Sequence, residues 1–197
     1  TCPKISCSFD GSFDAAMTHY ALAEDCAVRA TTKVPHSNSP TKKHIEIAGN
    51  TDTSALKKIK LAEAEVVVAG TTRFFEVSAG AFLNLTYVHL FVQAGDMGGI
   101  KVTGSGSRVH VAFSKFENTR ASAGGGINVI DGGTVTVNQS TFKSSGATGG
   151  SDSGGGGGIY VSKGSSVSVD RSHFELCTAA SGGGGGAIRI TGAATVV

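Results

Sequence analysis

The chain has 197 residues, room for one continuous core or for one solenoid with a cap. Gly supplies 29 of them, Trp is absent, Pro occurs 3 times, and charged residues make up 16%, below the ~25% of an average domain. A net charge of +2 with scattered basic residues excludes a nucleic-acid footprint, and no stretch approaches the ~18–20 apolar residues that cross a bilayer.

In chain order, cysteines come first. Cys2, Cys7 and Cys26 crowd the N-terminal end, while Cys177 lies far away. That clustering predicts a stapled cap in an oxidising compartment, hence a secreted, extracellular or cell-surface chain. The opening at Thr1, with no apolar leader, reads as a processed N-terminus or a late start. Residues 13–30 predict a short amphipathic helix, capped by Ser12 or Asp14, rich in Ala, and burying Phe13, Met17 and Tyr20. Cys7 with Cys26 is the candidate disulfide that would pin it, although the trio allows three pairings. Residues 31–43 read as a loop, so residues 1–43 form the expected cap of a coil spanning 44–197.

Ile45-Glu46-Ile47, Leu56 to Leu61 and Val66-Val67-Val68 read as one or two less regular turns. From residue 75 the chain repeats. Phe75-Glu76-Val77, Ile100-Lys101-Val102, Ile127-Asn128-Val129, Ile159-Tyr160-Val161 and Ile188-Arg189-Ile190 begin 25, 27, 32 and 29 residues apart. After each comes a second alternating pair: Leu83 and Leu85, Val109 and Val111, Val135 and Val137, Val167 and Val169, with Val196 opening the last, incomplete one. Leu90, Phe116, Phe142 and Phe174 close the four full units. Period-two alternation means strands. A unit this short cannot bury its inward face alone, so successive units must stack as turns of a parallel β-helix, with Ile127 over Ile100 and under Ile159.

Apart from one extra residue at Gly104-Ser105-Gly106, all length variation falls between the closing Leu or Phe and the next triplet, where Gly124–Gly126, Gly154–Gly158 and Gly182–Gly186 lie. No helix uses such sequences. They predict either flexible linkers at a solvent-exposed corner or side-chain-free loops that let a neighbouring loop or molecule approach closely. Gly155, Gly156, Gly157 and Gly184 are therefore candidate assembly contacts. Val196 and Val197 join them, because an unfinished last turn implies a longer chain or a subunit that completes it. Cys177 is expected either to bridge to another molecule or to stack as a reduced thiol in the coil.

The Gly-Gly-Gly-Ile of residues 124–127, the Gly-Gly-Ala-Ile of 185–188, and Ser114-Lys115-Phe116, Ser140-Thr141-Phe142 and Ser172-His173-Phe174 resemble the two motifs of polymorphic outer-membrane protein repeats and related pectin-lyase-like β-helices. The Asn that ends the second motif is not matched; Asn118 falls one residue early. Over residues 75–197 the resemblance implies an all-β, right-handed coil and a surface-exposed, often adhesive role.

Such coils also host polysaccharide lyases and hydrolases, whose chemistry needs paired carboxylates or Asp clusters on the outward ladders. The ladders run Glu76, Lys101, Asn128, Tyr160, Arg189; Asn84, His110, Thr136, Ser168; and His89, Lys115, Thr141, His173, with Phe91, Glu117, Lys143, Glu175 alongside. None places two carboxylates on adjacent turns. The reading is no catalytic residue, no metal and no cofactor. Asn84-Leu85-Thr86 and Asn138-Gln139-Ser140 are candidate glycosylation sites. The expected function is that of an extracellular structural or adhesive protein, a block of a coat, appendage or filament, whose partners are copies of itself or other extracellular proteins. The alternative is a polysaccharide-binding or polysaccharide-cleaving domain using Tyr160, Tyr87 and Phe91 as sugar platforms.

Overall fold

A computed structural model describes residues 73–92, 96–149, 155–180 and 184–197, together with the backbone of six short upstream strands. Between Arg73 and Val197 the chain winds through about four turns of a parallel β-solenoid. Each turn lays one strand on each of three sheets. The first sheet stacks Arg73–Val77, Gly98–Thr103, Ile127–Ile130, Ile159–Ser162 and Ile188–Thr191. The second stacks Phe82–Thr86, Arg108–Ala112, Thr134–Asn138, Ser166–Asp170 and Thr195–Val196. The third stacks Val88–Phe91, Lys115–Glu117, Thr141–Lys143 and His173–Glu175. A narrow fourth ladder of Arg120–Ala121, Gly146–Ala147 and Thr178–Ala179 leads into the glycine corner.

The register is the one read from the sequence. Phe75, Ile100, Ile127, Ile159 and Ile188 pair in succession. So do Leu83, Val109, Val135, Val167 and Val196. Leu90, Phe116, Phe142 and Phe174 do the same, their last three rings stacked at 4.6 and 4.8 Å. A one-residue slip would turn each inward set out to solvent, so burial itself fixes the register. Thr134–Asn138 shows this plainly, with Val135 and Val137 fully buried between exposed Thr134 and Thr136. Each such side chain contributes roughly 1.5–3 kcal/mol on leaving water.

Sharp corners need local hydrogen bonds. Between the second and third sheets one left-handed residue (Tyr87, Phe113, Gln139, Arg171) turns the chain, and in the last three of these corners a serine follows it. Ser114, Ser140 and Ser172 donate their hydroxyls to the carbonyls of Ala112, Asn138 and Asp170, at 2.8–2.9 Å. The same oxygens accept the N–H of Val88, Ser114 and Ser140 from the turn below, each at 3.1 Å. The Ser-x-Phe sequence thus encodes a corner and a stacked ring together.

No helix occurs among the described residues. Inside the segment expected as helix, residues 13–30, the described stretches are strands. His19–Ala21 pairs with His44–Ala48, and Cys26–Val28 lies between Ser8–Phe9 and Lys57–Leu61. Thr32–Val34, inside the expected loop, pairs with Arg73–Val77. Helix propensity differs between residues by under about 1 kcal/mol, and an open parallel edge with unpaired N–H and C=O groups outweighs it. The rest of the expected cap and the Cys7–Cys26 pairing lie outside the described residues.

Candidate functional site: the glycine corner and outward ladders

Glycines 124–126 and 155–158 are buried and hydrogen-bonded in the ladder, which is not how a flexible linker at a solvent-exposed corner would sit. Gly124 N–H donates to Gly155 O at 3.2 Å, Gly126 to Gly158 O at 3.0 Å, Gly156 to Gly185 O at 2.8 Å, and Gly158 to Ala187 O at 3.0 Å. The tracts therefore continue the parallel ladder across the corner. Their lack of side chains has definite causes. Gly124 takes a left-handed backbone (φ 56°), where a Cβ would run into the carbonyl of Ile127. A Cβ on Gly126 would lie 2.6 Å from the Phe142 ring, and one on Gly158 2.7 Å from that of Phe174. Gly-Gly-Gly-Ile and Ser-x-Phe are two halves of one packing unit.

Among the candidate assembly contacts, Gly155, Gly156 and Gly157 are buried by the chain's own neighbouring turns. Gly184 is exposed, and a methyl added there would meet nothing within 4 Å. Val196 is half-buried, and Val197 is 81% exposed.

Arg73 escaped the sequence reading. Its guanidinium is buried at 4% exposure and donates to Ala123 O at 2.6 Å, Gly124 O at 2.9 Å and Ile100 O at 3.4 Å. Burial pushes its pKa down to about 10, against the upward pull of Glu76, which still leaves it charged at neutral pH. The legible signal was positional. Two residues before each inward triplet starter stand Arg73, Gly98, Gly125, Gly157 and Gly186, a glycine column with one arginine at its foot.

On the outward ladders, Lys101 Nζ meets Glu76 Oε1 at 3.3 Å, as the cross-turn pairing implied. A diagonal cluster was missed: Glu117 Oε2 lies 2.9 Å from both His89 Nε2 and Lys115 Nζ. Burial pushes the Glu117 carboxyl up, but the Lys115 hydrogen bond and charge, with His89, outweigh it and hold the carboxyl below its ordinary value. His89 and His173 sit three turns apart, as expected. Among the described residues no group of three His, Cys, Asp or Glu side chains could hold a metal ion, and no helix is long and apolar enough to cross a membrane.

Of the aromatic platforms, Tyr160 is 8% exposed with its hydroxyl 2.9 Å from Thr191 Oγ1. Phe91 tilts against His89 at 5.7 Å. Tyr87 stacks on Phe113 at 5.0 Å and 9°, and Phe113 is 37% exposed. Of the sequons, Asn84 is half-buried and faces outward, whereas Ser140 of the second is 2% exposed and bonded back to Asn138 O. Cys177 sits half-buried above Ser145 and Thr119, its thiol 3.5 Å from Phe142 O, and burial pushes the thiol pKa up against the smaller pull of backbone groups at Ser145 and Glu175.

No protein-family model matches the chain, and neither a curated protein nor a solved structure matches it.

Proposed function

We propose that this chain is an extracellular structural or adhesive building block, in which a right-handed parallel β-helix serves as a stiff scaffold for a coat, appendage or filament. The observation that carries the reading is the turn-to-turn pairing of all three sheets among the described residues, together with the packing of glycines 124–126 and 155–158 at the corner. A coil so braced resists bending and repeats the same outward columns at ~4.8 Å intervals, which suits it to lateral and end-to-end contacts. Right-handedness follows from the general preference of parallel-strand crossovers, roughly 98% of which take that hand. The likeness to polymorphic outer-membrane protein and pectin-lyase-like repeats supports the extracellular setting. Where the second motif of those repeats carries Asn, this chain places Thr119, Ser145 and Cys177 in one inner column, with Thr119 and Ser145 hydroxyls 2.8 Å apart. A disulfide-pinned N-terminal cap, with Cys7 and Cys26 as the candidate pair, belongs to the same proposal.

Glu substitutions at Gly155 and Gly157 would test the fold instead of assembly, since both are enclosed by the chain's own backbone. Exposed apolar positions serve better. Sedimentation of the chain across a concentration series should show self-association that Ile190→Lys and Val197→Lys weaken, Ile190 being 48% exposed. A monomer at every concentration would remove self-assembly from the proposal. The second reading, polysaccharide binding or cleavage, is favoured by the stack of half-buried Tyr87 on exposed Phe113. A polysaccharide panel tests it, with retention and product release as readouts; released oligosaccharide would replace the structural reading by an enzymatic one.

A further inference from the structure

We infer that Arg73 is a latch, a single guanidinium that straps the first described turn to the glycine corner two turns above, and that the corner is a preformed guanidinium site which the protein fills with its own side chain. Arg73 belongs to the strand Arg73–Val77, yet its terminal nitrogens reach carbonyls 50 and 51 residues later, at Ala123 and Gly124. The path is open only because Gly98, its partner in register, has no side chain. A Cβ there would lie 2.8 Å from Nη1 and 3.0 Å from Cζ. Glycine at 98 and arginine at 73 are thus one device.

The chemistry of the site selects a planar fork. Ala123 O and Gly124 O belong to consecutive residues and are met by Nη2 and Nη1 respectively, so two oxygens receive two nitrogens of one rigid group. A lysine ammonium, a point donor on a flexible stem, cannot span both in the same way. The corner is also where buried carbonyls most need a donor, because residues 122–126 leave the regular sheets before rejoining at Ile127. Glu76, three residues along, supplies compensating negative charge.

The test uses the full chain and thermal unfolding followed by circular dichroism. Arg73→Ala should lower the midpoint by at least ~2–4 °C, the shift that a loss of about 1 kcal/mol produces in a chain of this size. Guanidinium chloride at millimolar concentration, against matched sodium chloride, should then raise that midpoint saturably in Arg73→Ala and not in the parent chain. Arg73→Lys should recover less than half of the loss. An unchanged midpoint in Arg73→Ala, or no rescue by guanidinium, overturns the latch. Should Arg73→Ala fail to fold even with guanidinium, Gly98→Ala decides, since it leaves the charge and obstructs its path. Hydrogen exchange at Gly124 and Gly126 should then quicken by roughly tenfold while Val135 and Val137 keep their rates, and equal rates at all four overturn the proposal.

Discussion

Gly126 and Gly184 stand in similar tracts and have opposite surroundings. A methyl on Gly126 would press on Phe142 at 2.6 Å and on Gly158 O at 2.7 Å, both inside the packed stack. Gly126→Ala should therefore destabilise by about 1–3 kcal/mol, the usual penalty of overpacking. Gly184→Ala meets nothing within 4 Å and should fall within about 0.5 kcal/mol of the parent. Urea unfolding of the two variants checks the contrast, and equal losses would mean that the corner is looser than the ladder of hydrogen bonds implies. Glu117 is the other residue with a definite expectation. Its folded carboxyl is held below the ordinary value by Lys115 and His89 despite burial, so its contribution to stability is present above about pH 4.3 and disappears as pH falls through the lower folded value. Glu117→Gln should flatten that acid limb by well under ~1 kcal/mol, because the side chain keeps 20% exposure and solvent screens it. Acid titration of stability in both forms reads the difference, and parallel limbs would show the cluster to be energetically silent.

At the level of the strand and its corner, the serine column joins two jobs that no single backbone bond could do. Ser140 Oγ donates to Asn138 O and accepts from Ser114 N, so Ser140→Ala strands a buried N–H one turn below and releases the corner above. A loss of about 1–3 kcal/mol is expected, larger than for an exposed serine such as Ser105, and urea midpoints of the two variants measure it. This column also shows what a sequence makes legible in such a fold. Inward residues stack on their counterparts one turn away, so the alternation and spacing of Ile100, Ile127 and Ile159 carry the register, and the Ser-x-Phe recurrence marks the last three corners. Arg73 is different in kind. Its partners are carbonyls, which have no side-chain identity to read, some 50 residues off. The His89–Glu117 contact was hidden by its diagonal direction, since straight columns put His89 beside Lys115 and Phe91 beside Glu117. Residues 13–30 misled for a third reason: their alanines describe what an isolated segment prefers, while His19–Ala21 and Cys26–Val28 are held by the edges of neighbouring strands.

For the molecule as a whole, stability in a stack is a sum of turn and interface terms, and, the Arg73 strap aside, each turn feels mainly its neighbours. Burial is uneven along the axis. In the turns starting at Ile100 and Ile127 the inward residues Val102, Phe116, Val129 and Phe142 are fully buried. In the last turn Ile188 is half-buried, Ile190 is 48% exposed and Val197 is 81% exposed. The apolar area removed from water therefore declines toward Val197, and with it the free energy that opposes local opening. Amide exchange should follow the same order in this chain, slowest at Val129 and Val137, intermediate at Val161 and Val167, and fastest at Ile190 and Val196. A globally cooperative unit would instead exchange all of these at one rate set by complete unfolding. The order also predicts how a lesion spreads: Ser140→Ala should speed exchange at Val137 on its own turn and at Val111 on the turn below while leaving Ile190 nearly unchanged. Mass-resolved hydrogen exchange on the parent and the variant separates the two behaviours, and a uniform rate from residue 100 to residue 196 would show that the turns do not open independently.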